Sequence, residues 1–291
     1  MSRNVVVESS LLFIVCVWAL NFSVVKFSLD EIDPLSFNAI RFLLAIAFIW
    51  LVVWRRRIPI KVQKGDWPRI VTLGLLGNLV YQVLFIYGIN FTYSANAAVM
   101  LGTIPVWVAL VSHMFFEEKL TRIKFIGVCF AFAGVIFIMV GGEQGFSLSA
   151  ESVIGDLIIV VAAMVFAVYT LLSKSMLDRY TPLELSTLIL TVGGLAIVII
   201  AIPNLVKLDH KAISWLAWGG AFYSGVFSIG MAYLVWNYGI KQVGAVRTST
   251  YQNLVPVLGI ILGFLLLGEK LMIMQYAGTA FVISGIVLAR R

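Results

Sequence analysis

The sequence predicts an all-α integral membrane protein: ten transmembrane helices built as two inverted five-helix repeats, with both termini cytoplasmic. Composition is the first reason. Of 291 residues, 61% are hydrophobic and only 12% charged, with a mean hydropathy of +1.02. Soluble domains run at roughly 45–50% apolar and about 25% charged, so this chain has too little charge to cover a water-facing surface. The second reason is spacing: the apolar residues form blocks near the ~20 residues that a spanning helix needs, separated by short polar breaks. The third is that the second half repeats the first.

Read against charged residues and Pro or Gly breaks, the blocks place spans at 9–29, 34–54, 69–91, 93–116, 122–141, 153–173, 182–203, 214–237, 244–267 and 272–290. The first holds Asn21, Ser23 and Lys26, ends at the acidic turn Asp30, Glu31, Asp33, and lacks a small-residue cleavage site, so it reads as a retained helix and not a signal peptide. The second runs from Pro34 to Arg55-Arg56-Arg57, and the third follows the basic stretch that closes at Arg69. The fourth stops at Glu117-Glu118-Lys119 and the fifth starts at Arg122. The sixth ends at Lys174, the seventh begins at Pro182, and the eighth lies between Ser214 and Lys241. The ninth follows Gly244 to Glu269-Lys270, and the tenth closes at Arg290-Arg291.

Basic residues are retained on the cytoplasmic side. One set of alternate breaks carries nearly all of them, from Arg3 through the 55–69 stretch, Lys119 to Lys124, Lys174 and Arg179, Lys241 and Arg247, to Arg290 and Arg291. The other set holds Lys207, Lys211 and Lys270, with the acids Asp30, Glu31, Asp33, Glu143 and Glu151. Both termini therefore read as cytoplasmic, and the net charge of +7 faces a membrane surface and not a nucleic acid. Trp50, Trp54 and Trp67 flank the basic loop, with Trp215 and Trp218 at the opposite interface.

At a shift of 151, Tyr87-Gly88-Ile89 meets Tyr238-Gly239-Ile240, Pro105 meets Pro256, Glu118-Lys119-Leu120 meets Glu269-Lys270-Leu271, and Gly127, Phe130 and Gly134 meet Gly278, Phe281 and Gly285. At a shift of 148, Lys26 meets Lys174 and Pro34-Leu35 meets Pro182-Leu183. The repeats divide the chain into 1–145 and 146–291. Five spans is an odd number, so the second copy enters the membrane from the opposite side. Inverted halves that exchange conformations expose a central site to each side in turn, the design of many secondary transporters.

Polar groups in mid-span face a cavity or each other. Here they are Asn21, Asn78, Tyr81, Gln82 and Thr103, then Tyr169, Thr170, Ser224, Ser228, Thr250, Tyr251, Gln252 and Asn253. They lie on the first, third and fourth spans of each repeat, with Asn38 and Arg41 on the second. Each has two readings: an interhelical hydrogen bond, worth about 0.6 kcal/mol on average in membranes, or contact with a solute. Trp18, Trp107, Tyr233 and Trp236 are the candidate aromatic wall. Pro105 and Pro256 loosen repeat-related spans as hinges or as static kinks. Lys26 and Arg41, near the outer ends of their spans, either face the cavity mouth or snorkel to the interface. No Asp or Glu falls in the central third of any span, and His113, near the cytoplasmic end of the fourth, is either a weak titratable substitute or an interfacial anchor. Movement down a gradient, or coupling through the solute's own charge, follows.

Enzymatic motifs fail. Ser23-Val-Val-Lys26 fits SxxK by chance, without SDN or KTG companions. No Walker A, HExxH or GxSxG motif occurs, and Cys16 and Cys129 make no metal spacing. No cofactor is called for, and the sequence leaves the oligomeric state open, a monomer being compatible with it.

Several segments together resemble the EamA family of the drug/metabolite transporter superfamily: Trp18-Ala-Leu-Asn21-Phe22 through Lys26, Arg41-Phe-Leu-Leu-Ala45, Ser94-Ala-Asn96-Ala-Ala98 leading to Pro105 and Glu118-Lys119-Leu120, and Ala232-Tyr233-Leu-Val-Trp236-Asn237 through Ala245 to Pro256 and Gly268-Glu269-Lys270. The resemblance implies ten helices, a central cavity and, commonly, export of amino acids or other small metabolites. The expectation is thus a bacterial inner-membrane permease, not an enzyme, exporting a small polar or amphipathic solute. Its expected contacts are Asn21, Asn78, Tyr81, Gln82, Trp107, Tyr169, Tyr233, Trp236, Tyr251 and Asn253. Rival readings are a channel-like facilitator and a non-transporting membrane subunit.

Overall fold

The computed structural model describes residues 3–92, 97, 100–115, 121–140, 150–255, 257–258 and 273–289. They form α1 (Arg3–Leu29), α2 (Pro34–Arg56), α3 (Lys64–Phe91), α4 (Ile104–Phe115), α5 (Arg122–Val140), α6 (Ala150–Leu177), α7 (Pro182–Lys207), α8 (215–243), α9 (245–253) and α10 (Ile273–Ala289). Among the described residues, five helices are long and apolar enough to cross a membrane: α1, α2, α3, α6 and α7. Large apolar side chains such as Phe13, Leu51, Ile199 and Ile283 point outward, as they do in a helix that is apolar all round and bathed in lipid.

Local chemistry sets the helix ends. Asp33 caps α2 by accepting from the Ser36 N–H at 3.1 Å, with Pro34 in the first turn. Thr181 and Glu184 form a capping box on α7, again with Pro in the first turn. Gly244, at φ 87° and ψ 165°, separates α8 from α9. That backbone conformation is essentially open to glycine alone.

The main contacts come in repeat-matched sets. The second helices, α2 and α7, pack on each other, and so do the fifth, α5 and α10. The first helix of each half lies against the third of the other: α1 on α8, and α6 on α3. Gly127 and Gly134 of α5 face Gly285 and Gly278 of α10 reciprocally, with backbone close enough that a Cβ at Gly134 would stand 2.6 Å from the Gly278 carbonyl. Reciprocity of this kind is what a two-fold relation between halves generates.

Polar ties close both ends of the bundle. At the α2–α3 end, Asp66 is buried and accepts from Arg179 and, at 2.9 Å, from the Tyr180 hydroxyl, while Arg179 also donates to Gln63 at 2.7 Å. Burial pushes the Tyr180 hydroxyl above its ordinary pKa. At the other end Glu31 accepts from the Ser214 N–H at 2.6 Å and its hydroxyl at 2.7 Å. These bonds hold the Glu31 carboxyl below the usual range, so it stays ionised at neutral pH. Thr92 donates to buried Asp156 at 2.6 Å, joining the end of α3 to the start of α6.

Candidate functional site

Polar faces of both halves converge on one central cavity. The first half lines it with Trp18, Asn21 and Phe22 of α1, Arg41 of α2, and Tyr81, Gln82 and Phe85 of α3. Leu101, Gly102 and Ile104 complete the first half's share, and the second half adds Phe166 of α6, Ser228 and Tyr233 of α8, Gln252 of α9 and Val255. The enclosed space is about 70 Å³, smaller than the roughly 300–1,000 Å³ of small-molecule sites.

A hydrogen-bonded chain crosses the wall from one half to the other. Arg41 Nη2 donates to Gln82 Oε1 at 3.3 Å, and Gln82 Nε2 donates to the Tyr233 hydroxyl at 3.4 Å. Asn38 Nδ2 donates to the Gln82 carbonyl at 3.0 Å. Asn21 Oδ1 accepts from Ser224 Oγ at 2.7 Å, joining α1 to α8. Aromatic rings fill the spaces between: Trp18 lies 5.4 Å from Trp236 and Tyr81 4.6 Å from Phe166, centroid to centroid.

Two wall helices carry π-helical turns at repeat-related places, Leu75–Val80 in α3 and Ser224–Met231 in α8. Such turns replace the i→i+4 bond by i→i+5 and recur at functional sites. The Tyr81 N–H bonds to the Leu76 carbonyl, passing over Gly77. The Ala232 N–H bonds to the Phe227 and Ile229 carbonyls, passing over Ser228. Gly77 and Ser228 are mates at the shift of 151. Each passed-over carbonyl accepts from an aromatic side chain: Gly77 from the Tyr233 hydroxyl at 2.8 Å, Ser228 from Trp18 Nε1 at 3.1 Å.

The residues singled out from the sequence divide by position. Asn21, Tyr81, Gln82 and Tyr233 stand on the wall. Tyr169 and Trp236 lie buried behind it, Trp236 donating to Thr170 at 3.3 Å. Asn78 is away from the wall, its Nδ2 on the Ile189 carbonyl at 2.7 Å where α3 meets α7. Trp107 is half-buried and bonds to Thr103 one turn back at 3.1 Å. Tyr251 packs with Val7, Leu11 and Val15, and Asn253 is buried with neither side-chain polar atom bonded among the described residues. Pro105 is buried in α4, and Pro256 lies outside the described residues.

The two charges expected near the mouth separate. Lys26 is exposed, whereas Arg41 is 1% exposed and stands on the cavity wall itself. Packing decides this: α8 closes over α2 at Gly225, where a Cβ would sit 2.6 Å from the Arg41 carbonyl. Phe85 and Phe166 join the wall without any sequence signal, being apolar residues in apolar spans, and Phe22 joins it beside Asn21.

Comparison with known proteins agrees with this architecture. The model of the EamA-like transporter family matches residues 8–140 and again residues 153–291. The uncharacterized transporter YyaM of Bacillus subtilis is 28% identical over 271 residues, covering 92% of this chain and 88% of the relative. An uncharacterized transporter of Archaeoglobus fulgidus is also 28% identical, over 94% of this chain and 95% of its own. A probable terminal-alkyne amino-acid exporter of Streptantibioticus cattleyicolor is 25% identical, covering 97% and 92%. A crystal structure shares the fold with a TM-score of 0.80 at 18% identity, covering 98% of this chain and 95% of that one.

Proposed function

Since this chain belongs to the EamA-like transporter family, multi-pass membrane transporters and not enzymes, we propose that it is a permease exporting a small polar or amphipathic metabolite of the amino-acid kind. In this reading the halves 1–145 and 146–291, inverted in the membrane, rock about the central cavity and open it to each side in turn. The observation that carries it is the Gln82–Tyr233 hydrogen bond, which joins residues 151 apart, the repeat shift itself. Mates that touch lie beside the axis relating the halves, so the cavity sits where an exchange of conformations has its pivot.

Asn21, Tyr81, Gln82 and Tyr233 offer amide and hydroxyl groups beside aromatic faces, a lining suited to an amphipathic solute. The name of the Streptantibioticus relative supports outward movement of an amino-acid-like solute. Bacterial and archaeal relatives support a plasma-membrane location, and the charge asymmetry supports cytoplasmic termini.

Uptake of a labelled amino-acid and metabolite panel by liposomes holding the purified protein tests this. Saturable flux of one solute class is expected, reduced at least about tenfold by Tyr81→Ala at equal protein yield. Flux of no panel solute, or flux unchanged in Tyr81→Ala, contradicts the reading.

A further inference from the structure

Arg41, within the apolar helix α2, is 1% exposed and stands on the cavity wall. Nη2 reaches Gln82 at 3.3 Å, while Nε and Nη1, both enclosed by the surrounding protein, have no hydrogen-bond partner among the described residues. The Phe37 ring centre stands 5.2 Å from its guanidinium carbon. No carboxylate of the described residues pairs with Arg41, and the described wall carries no Asp or Glu. A buried cation is retained against a heavy desolvation cost only where something compensates it. A neutral amide and a ring face do so in part. Once the cavity opens and uncovers them, the uncommitted N–H groups offer a carboxylate the parallel pair of bonds that suits a guanidinium.

We propose that the missing counter-charge is the solute's: the cavity takes an organic monocarboxylate with an apolar or aromatic body, its carboxylate on Arg41 and its body among Phe22, Tyr81 and Phe85. This rests on the carrier reading above, but within its small amphipathic solutes it selects acids that lack an ammonium group, in place of the amino-acid kind. One fixed cation is neutralised by one carboxylate. A phosphate dianion brings a second charge for which the described wall offers no second cation, Lys26 being exposed. A zwitterionic amino acid leaves the site net positive, and its ammonium meets no acid on the described wall. An amine adds like charge to like.

The test uses the full chain with four probes of one shape: 3-phenylpropionate, its amide, phenylalanine and phenethylamine. Binding is read by quenching of tryptophan fluorescence, since Trp18 stands on the wall. The acid is expected to bind at least about tenfold tighter than the amide or phenylalanine, and the amine not at all. Arg41→Gln is expected to bring the acid down to the level of the amide while the amide keeps its affinity. Arg41→Lys is expected to retain part of the preference, having the charge without the fork. If Arg41→Gln does not fold, the wild-type acid-to-amide ratio and Arg41→Lys decide. An acid-to-amide ratio near one, a preference that survives Arg41→Gln, or phenylalanine binding as tightly as the acid overturns the proposal. Failure of all four probes overturns it too, and the carrier reading is then judged separately by the metabolite panel.

Discussion

Tyr233→Phe is expected to lower flux at least about tenfold while the protein still inserts and folds. The ring stays, with its neighbours Tyr169 at 5.8 Å and Phe166 at 6.4 Å between centroids. What goes is a hydroxyl that donates to the Gly77 carbonyl at 2.8 Å and accepts from Gln82 at 3.4 Å. A buried group left without its partner costs roughly 1–3 kcal/mol, and about 1.4 kcal/mol is a factor of ten in an equilibrium. The cost falls on the state in which the π-helical turn of α3 and the α8 ring are engaged. Trp18→Phe at the repeat-related site removes the donor to Ser228 and is expected to shift the same balance through α8. Initial flux rates with thermal unfolding as the control measure both; wild-type rates in both variants would show that capping these carbonyls does not matter to transport.

Gly134→Val is expected to give the largest loss of stability, and Gly285→Val a similar one. A Cβ at Gly134 would stand 2.6 Å from both the Gly278 carbonyl and the Val282 nitrogen, and one at Gly285 would stand 2.8 Å from Ala131 Cα. These are backbone atoms that cannot rotate aside, so α5 and α10 must part along their contact. Helix association in lipid depends on such close packing by small residues, and overpacking costs about 1–3 kcal/mol or more. Gly219→Ala is the control, since a Cβ there meets nothing within 4 Å. Unfolding midpoints in detergent should fall for the two valine variants and hold for the control. Equal midpoints would mean the α5–α10 contact contributes little.

The helices were legible because lipid demands long apolar runs, and because Pro34 and Pro182 mark helix starts by chemistry that needs no partner. Where tertiary contacts extend a helix, local signals fall short. α1 reaches back to Arg3 with Glu8 paired to Arg247 at 2.9 Å, and the third helix begins at Lys64 because Asp66 is buried against Arg179 and Tyr180. On the cavity wall, Asn21, Tyr81 and Gln82 stand out in sequence as polar residues in apolar runs. Phe85 and Phe166 have no such contrast. Nothing in Leu75–Val80 distinguishes a π-helical turn from an α-helical one, since the turn depends on a hydroxyl contributed 156 residues later. The depth of Arg41 can be counted along its span, but its direction depends on α8 lying close enough at Gly225 to bury it.

Solute counterflow tests the central claim most directly. Liposomes holding the protein are loaded with unlabelled solute, and the uptake of a trace of labelled solute is followed from outside. A carrier whose halves alternate about the Gln82–Tyr233 pivot must accelerate labelled uptake and drive a transient accumulation above the outside concentration, both lost in Tyr233→Phe. Uptake that is indifferent to the internal solute and does not saturate would describe a channel and contradict alternating access.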